Sequence, residues 1–342
     1  MISRSTDPFA AAPKVELHLH LEGAMPLDTL WDLMERYGGD PSVPTRAALA
    51  KHLTYTSFPH FIETWVWMNG FVRTYEDFEH VACGVAGELS RQNVIYAEAS
   101  FSPTDFAVHG LDAREIAMAI RRGLDRVDGT QIVLNCDLVR DTGPARAGAT
   151  LDAVVEVMAD ADIRGITIGG SEQAYPPGLF AEVYRRAQRS GLRLTAHAGE
   201  AAGPDSVRDA LDRLGVERIG HGVRAVEDPD LLARLVAEQI PLEVCPTSNL
   251  CTGVVSDWSG HPVGTLLENG AFVTISSDDP TFFHTTLADE LREVAHRFGE
   301  HPHGLTKRAV AASWMTADEK QVADRVVDQW WSSHRGGISD AG

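Results

Sequence analysis

The segment KVELHLHLEG, residues 14–23, sets His18 and His20 two apart in an apolar run and follows them with Glu22. On a β-strand, residues two apart share a face. Val15, Leu17, Leu19 and Leu21 are therefore expected on one face, and Glu16, His18, His20 and Glu22 on the other. Two readings fit this stretch alone: a half-exposed strand with a polar outer side, or two imidazoles aimed at one metal ion. The rest of the chain supplies further candidates: His197-Ala198-Gly199-Glu200, His221 between Gly220 and Gly222, Cys245-Pro246-Thr247-Ser248-Asn249, Asp278-Asp279-Pro280, and Gly169-Gly170-Ser171-Glu172. Each has a plain structural explanation by itself. A lone His at a strand end is commonly a hydrogen-bonded structural residue, and Asp-Asp-Pro is a common helix start. Jointly they point elsewhere, because a strand ending in two buried carboxylates needs a cation or donors nearby. Three imidazoles and one carboxylate suit Zn2+, with Fe2+, Co2+ or Mn2+ as alternatives. Such an ion lowers the pKa of bound water from about 15.7 to near 7. His221 and Asp278 are candidates to orient or deprotonate that water. Glu200, three residues after His197, fits a proton shuttle if burial or a neighbouring carboxylate raises its pKa. His301 and His303 in EHPHG repeat the His-x-His spacing, but Pro302 splits them and no apolar strand holds them; a surface loop is expected there.

These residues acquire a common location once the elements that carry them are counted. Apolar, β-branched segments fall at 15–21, 94–101, 132–139, 163–170, 192–200, 218–223, 242–246 and 272–280, with helical patterns between them, for example 178–190, 204–215 and 228–239. The last begins with Asp228 as N-cap and Pro229 at the first helical position. Eight strands alternating with helices predict an α/β fold, a (β/α)8 TIM-type barrel, whose active site lies at the C-terminal ends of the strands. An open doubly wound sheet is the runner-up, weakened by the absence of G-x-G-x-x-G after the first strand. About 70 residues separate the first two strands, roughly twice a βα repeat, so extra helices are expected between strands 1 and 2. Segment 58–71, FPHFIETWVWMNGF, is dense in aromatics and reads either as a core helix or as a lid offering Phe61 and Trp65 to a flat ligand.

The chain has 342 residues, 44% of them hydrophobic, enough for one large domain over 1–342 with a C-terminal tail at 325–342. A formal charge of −19 argues against a nucleic-acid partner. Cys83, Cys136, Cys245 and Cys251 form no C-x-x-C pair. No signal-peptide pattern and no membrane-length apolar run is seen, and a cytoplasmic setting is expected. The oligomeric state is not readable.

HLHLEG, HAGE, IGHG, CPTSN and SDDP, in that order, resemble the adenosine deaminase family of the amidohydrolase superfamily, over roughly residues 13 to 315. The resemblance implies a distorted (β/α)8 barrel with His18, His20, His197 and Asp278 as metal ligands. It implies Glu200 as the acid that protonates purine N1, His221 as the group orienting the attacking water, Asp279 as the partner of N7, and Gly170 as the backbone contact to N3. The implied reaction is hydrolytic release of ammonia from C6 of a small purine nucleoside or base, adenosine or 2′-deoxyadenosine first. Two departures bear on the substrate. Glu22 stands where the vertebrate enzymes have Asp, at the residue that meets the sugar, and GGSEQ replaces AGDE, so Ser171 stands for an acid. Both changes fall on the sugar side, where Trp65 and Trp67 also suggest room for a bulky 5′ group. Aminodeoxyfutalosine, adenine and N6-substituted AMP are therefore the alternative substrates.

Other classes are weaker. A binuclear amidase or phosphoesterase barrel is expected to carry a bridging Lys on the fourth strand, and 163–170 has none. A degenerate nucleoside sensor is expected to lack some of these chemical residues, and all are present. The cytidine deaminase pattern needs P-C-x-x-C after H-x-E, which is absent.

Overall fold

The apolar segments become eight parallel strands in the computed structural model, which describes residues 7–55 and 58–334. They are β1 (Lys14–His20), β2 (Val94–Phe101), β3 (Gln131–Asp137), β4 (Ile163–Thr167), β5 (Arg193–Ala198), β6 (Arg218–His221), β7 (Leu242–Val244) and β8 (Val273–Ile275), paired in chain order. The circle is drawn together after β8. The Asp278 N–H donates to the His18 carbonyl (2.9 Å) and the His20 N–H donates to the Asp278 carbonyl (3.0 Å). The result is a nearly closed (β/α)8 barrel. Its strands are buried almost throughout because a parallel barrel is covered on both faces; every residue of β1 is buried.

Helices fill the crossovers. Asp228 caps the helix Pro229–Glu238 by accepting from the N–H groups of Asp230 and Leu231, as its position before Pro229 leads one to expect. The long insertion between β1 and β2 holds four helices, Leu27–Arg36, Arg46–His52, Phe58–Asn69 and Tyr75–Arg91. The last opens with a reciprocal capping box between Thr74 and Asp77. Among the described residues, no helix is long and apolar enough to cross a membrane.

Four expectations change. Simple alternation along β1 fails because its pairing with β2 shifts register between Glu16 and Leu19, three residues opposite the two from Ala97 to Ala99. Glu16 consequently lies with Leu19 in a small cavity outside the barrel, beside Val85 and Leu287, and accepts from the Ser277 hydroxyl (2.7 Å), whereas His18 and His20 point inward. EHPHG is not a loop. His301 is the N-cap of the helix Pro302–Ala312, its Nδ1 accepting from the His303 N–H, and Pro302 is at the first helical position, where it costs no hydrogen bond. Residues 325–333 are not a tail either. They belong to the helix Ala317–Ser333, whose Val327 and Trp331 bury an apolar face with Ala12; residues 335–342 lie outside the described residues. Trp67 does not join Trp65: its indole N–H donates to Asp40 (2.9 Å) and its ring packs on His52 and Phe71.

Candidate active site

Strand order carries the chemistry to one end of the barrel. β1 supplies His18 and His20, β5 His197, β6 His221, and the segment after β8 supplies Asp278 and Asp279. Two of these residues adopt the left-handed backbone region without being glycine, His221 (φ 62°) and Asp278 (φ 63°). Such conformations are costly for ordinary residues and persist where the surroundings enforce them. Here they turn the two side chains toward each other at the mouth: His221 Nε2 stands 3.9 Å from Asp278 Oδ2 and 3.6 Å from Glu200 Oε2.

The ligand-type atoms of His18, His20, His197 and Asp278 lie within 4.8 Å of one another and all four residues are buried. His197 Nε2 is 3.0 Å from His18 Nε2 and 3.1 Å from His20 Nε2; Asp278 Oδ1 is 3.5 Å and 3.3 Å from the same two atoms. Donor atoms held about 2.0–2.1 Å from one tetrahedral centre stand about 3.3 Å apart. The observed edges bracket that value, so the four residues fit one divalent cation. Their chemistry agrees. Burial lowers the pKa of His197 far below its ordinary value, with His18 and His20 adding to the shift, so its imidazole is neutral and offers a lone pair. Burial opposes charge on Asp278, yet the His18 contact and the surrounding imidazoles hold its carboxyl well below the usual range.

The remaining groups at the mouth are titratable and strongly shifted. Burial, then the Asp278 and Glu172 carboxylates, push Glu200 up to about 8. Its side chain is 22% exposed, so it is reachable from the mouth. Burial and neighbouring Asp278 also push Asp279 well up, and its Oδ1 is buried without a protein partner. Burial lowers His221 to about 3. The amide of Asn249 donates to His221 Nδ1 (3.3 Å), which leaves the ring proton on Nε2, facing Asp278 and Glu200.

The sugar-side candidates are more scattered. One oxygen of Glu22 accepts from the Ser102 N–H (2.9 Å); the other is buried without a partner, and burial together with Asp105 and Asp137 pushes the carboxyl up to about 8. Gly170 is exposed at φ 102°, and a Cβ there would stand 2.0 Å from Asp141 Oδ2. Ser171 is exposed and bound through its N–H (2.8 Å) and hydroxyl to Asp141, an acid on the loop after β3. Phe61 and Trp65 are in an aromatic wall with Phe282, at 5.3 and 5.4 Å, and Phe283 stacks on Phe61 at 5.8 Å; Phe282 and Phe283 lie on the short helix that begins at Pro280, next after Asp279.

In the sequence, Glu172 and Asn249 stand out only as members of candidate stretches, and Arg140 and Asp137 not at all; all four hold the site in place. Glu172 accepts from three backbone N–H groups of the turn carrying Glu200: Gly199 (2.6 Å), Glu200 (3.2 Å) and Ala202 (2.8 Å). Buried Arg140 donates to the carbonyls of Ile168 (3.0 Å) and His197 (2.5 Å), tying the segment that leaves β4 to β5. Asp137 accepts from the N–H groups of Gly169 and Val139, both at 2.9 Å. Glu172 and Asn249 sit inside the motifs GGSEQ and CPTSN, which is the signal that was available for them.

The profile of the adenosine deaminase family matches residues 13–330. The chain belongs to the adenosine deaminase family. It is similar to an aminodeoxyfutalosine deaminase of Streptomyces avermitilis, 38% identical over 94% of this chain and 92% of that protein. It is also similar to an adenine deaminase of Rhodospirillum rubrum, 35% identical over 91% and 94%. A solved amidohydrolase of Burkholderia ambifaria with bound Zn is similar in structure, with a TM-score of 0.88 at 27% identity, covering 99% of this chain and 96% of that one. Family membership makes this protein a hydrolytic purine deaminase that uses a divalent metal.

Proposed function

We propose that this family member removes the 6-amino group from adenine itself, or from an adenine nucleoside with an enlarged 5′ end such as aminodeoxyfutalosine, in preference to adenosine or 2′-deoxyadenosine. The observation that carries the reading is the pairing of a complete proton and metal cluster with an altered sugar side. Glu22 keeps one buried oxygen without a protein partner, and Ser171 is engaged by Asp141. The relatives at 38% and 35% identity are named for aminodeoxyfutalosine and adenine. The expectation of adenosine as first substrate thereby gives way to the alternatives.

His18, His20, His197 and Asp278 are the proposed holders of the cation, Zn2+ by donor set. When bound, the cation acidifies water by Lewis-acid polarisation. The chain's own groups do the rest. Glu200, protonated at neutral pH, hands its proton to N1 as C6 becomes tetrahedral. Asp279, held protonated, donates to N7. The Gly170 backbone meets N3. Neutral His221, with its proton on Nε2, orients the attacking water against Asp278. Phe61 and Trp65 wall the site against bulk water, and their flat faces suit an extended aromatic 5′ group.

Ammonia release from adenine, aminodeoxyfutalosine, N6-methyl-AMP, adenosine and 2′-deoxyadenosine tests the reading. The highest kcat/KM is expected for adenine or aminodeoxyfutalosine. Adenosine as the best substrate overturns the preference, and no turnover of any of the five overturns the site assignment.

A further inference from the structure

Beneath the proposed cation site runs a buried chain of charges that no step of the deamination uses. His18 Nδ1 stands 3.0 Å from Glu243 Oε2 on β7. Glu243 Oε1 is 2.6 Å from Arg218 Nε on β6, a close ion pair in which the N–H is not aligned with the oxygen. Arg218 reaches Glu98 on β2 with both terminal nitrogens, one of them at 3.2 Å, and donates to the Ala312 carbonyl (2.9 Å). Its guanidinium lies 3.9 Å over the ring of Trp314, whose backbone N–H donates to Glu98 (2.7 Å). Glu98, Arg218 and Glu243 are each no more than 1% exposed. Two glycines make room for this stack. At Gly165 a Cβ would stand 2.2 Å from the Trp314 ring, and at Gly220 one would stand 2.9 Å from His18 Cε1.

We propose that Glu243 is a positioning residue that fixes the tautomer and the donor strength of His18, and that Arg218, clamped by Glu98 and Trp314, holds Glu243 in place. The inference rests on reading the four-residue cluster as a metal site. A carboxylate oxygen at this distance from Nδ1 can only accept, so the ring proton is on Nδ1 and Nε2 presents its lone pair to the cluster. The acceptor is a full charge, which makes His18 a stronger donor than an imidazole backed by a neutral group. His197 supplies the contrast inside the same site: its Nδ1 meets only the Thr167 hydroxyl, at 3.2 Å. An uncompensated carboxylate at this depth is prohibitive, so Glu243 needs Arg218. Lysine, a point charge, lacks the planar fork with which Arg218 meets two glutamates and stacks on an indole. His18 is thus the anchor ligand, and its anchor reaches the floor of the barrel.

The test is Zn2+ affinity measured by competition with a chromophoric chelator, on the full chain, for wild type, Glu243→Gln, Glu243→Asp and Thr167→Val. Glu243→Gln keeps the shape and leaves Arg218 paired with Glu98. It should weaken Zn2+ binding about 10- to 100-fold, with an unchanged far-ultraviolet circular dichroism spectrum. Glu243→Asp, which keeps the charge, should recover part of that loss, and Thr167→Val should lose less than Glu243→Gln. The visible spectrum of the Co2+-loaded protein should change in Glu243→Gln. Wild-type affinity in Glu243→Gln, or a loss no larger than that of Thr167→Val, overturns the proposal. A wild type that binds no Zn2+ overturns the metal-site reading beneath it. Should Glu243→Gln fail to fold, nitrogen-15 spectra of the imidazoles in Zn2+-loaded wild type decide. A protonated His18 Nδ1 supports the proposal, and an unprotonated one overturns it.

Discussion

Replacing Glu172 by Gln should cost both stability and turnover, although Glu172 bonds to none of the four proposed metal ligands. Its two oxygens accept from three backbone N–H groups of the turn that carries Glu200. Glutamine offers one oxygen. In its best orientation the amide keeps the Glu200 and Ala202 bonds and turns its NH2 toward the Gly199 N–H, a donor facing a buried donor. One charge-assisted bond of about 1.5–3 kcal/mol is lost and the two survivors weaken, for a total near 3 kcal/mol. The turn relaxes, and a displacement of about 1 Å at Glu200 lowers kcat about 100-fold. A second signature separates this from general loosening. The Glu172 carboxylate helps to hold the Glu200 proton, so removing that charge lowers the Glu200 pKa. The acid form is then lost at lower pH, and the alkaline limb of the pH–rate profile moves to lower pH. Urea denaturation and steady-state kinetics from pH 6 to 9 are the assays. Wild-type stability with an unmoved alkaline limb would refute the reasoning.

Two further predictions concern separate parts of the barrel. Gly220→Ala places a Cβ 2.9 Å from His18 Cε1 and 3.3 Å from His197 Cα. Two ligands are pushed at once, so metal retained after dialysis should fall below one equivalent and overpacking should cost about 1–3 kcal/mol; full retention counts against the placement. Glu290 is buried, accepts from Thr247 N–H (3.2 Å) and the Thr285 hydroxyl (2.7 Å), and is pushed up by burial from 4.5 to about 7. A raised folded-state pKa stabilises the protein fully below about 4.5, and that contribution is lost as pH rises through about 7. Relative to Glu290→Gln, wild type should lose up to about 3 kcal/mol over that window in urea denaturation; parallel curves would count against it.

The barrel was legible because each strand is a short apolar run bounded by turn residues, and β2 falls on its expected span of 94–101. The chemical residues were legible because they stand in motifs at strand ends. What failed did so for local physical reasons. The face of Glu16 depends on a one-residue slip between β1 and β2, which no pattern in β1 reveals. Pro302 reads as a breaker, yet it opens a helix because its missing N–H is spared at the first position. Residues 325–333 read as a tail because the partner surface that buries Val327 and Trp331, at Ala12, lies far away in the sequence. Glu243 in LEVCP is one polar residue in an apolar strand. Only barrel closure brings it against His18 and Arg218. Asp141 likewise meets Ser171 only because the loops after β3 and β4 are neighbours.

The most direct test of the central account is ammonia release from adenine and aminodeoxyfutalosine by wild type and Glu200→Gln at equal, measured metal content. The account predicts stoichiometric ammonia from wild type with one or both substrates. It also predicts at least a 100-fold lower kcat for Glu200→Gln, with metal binding retained, as removal of a general acid requires. Equal rates for the two proteins at equal metal content would contradict it.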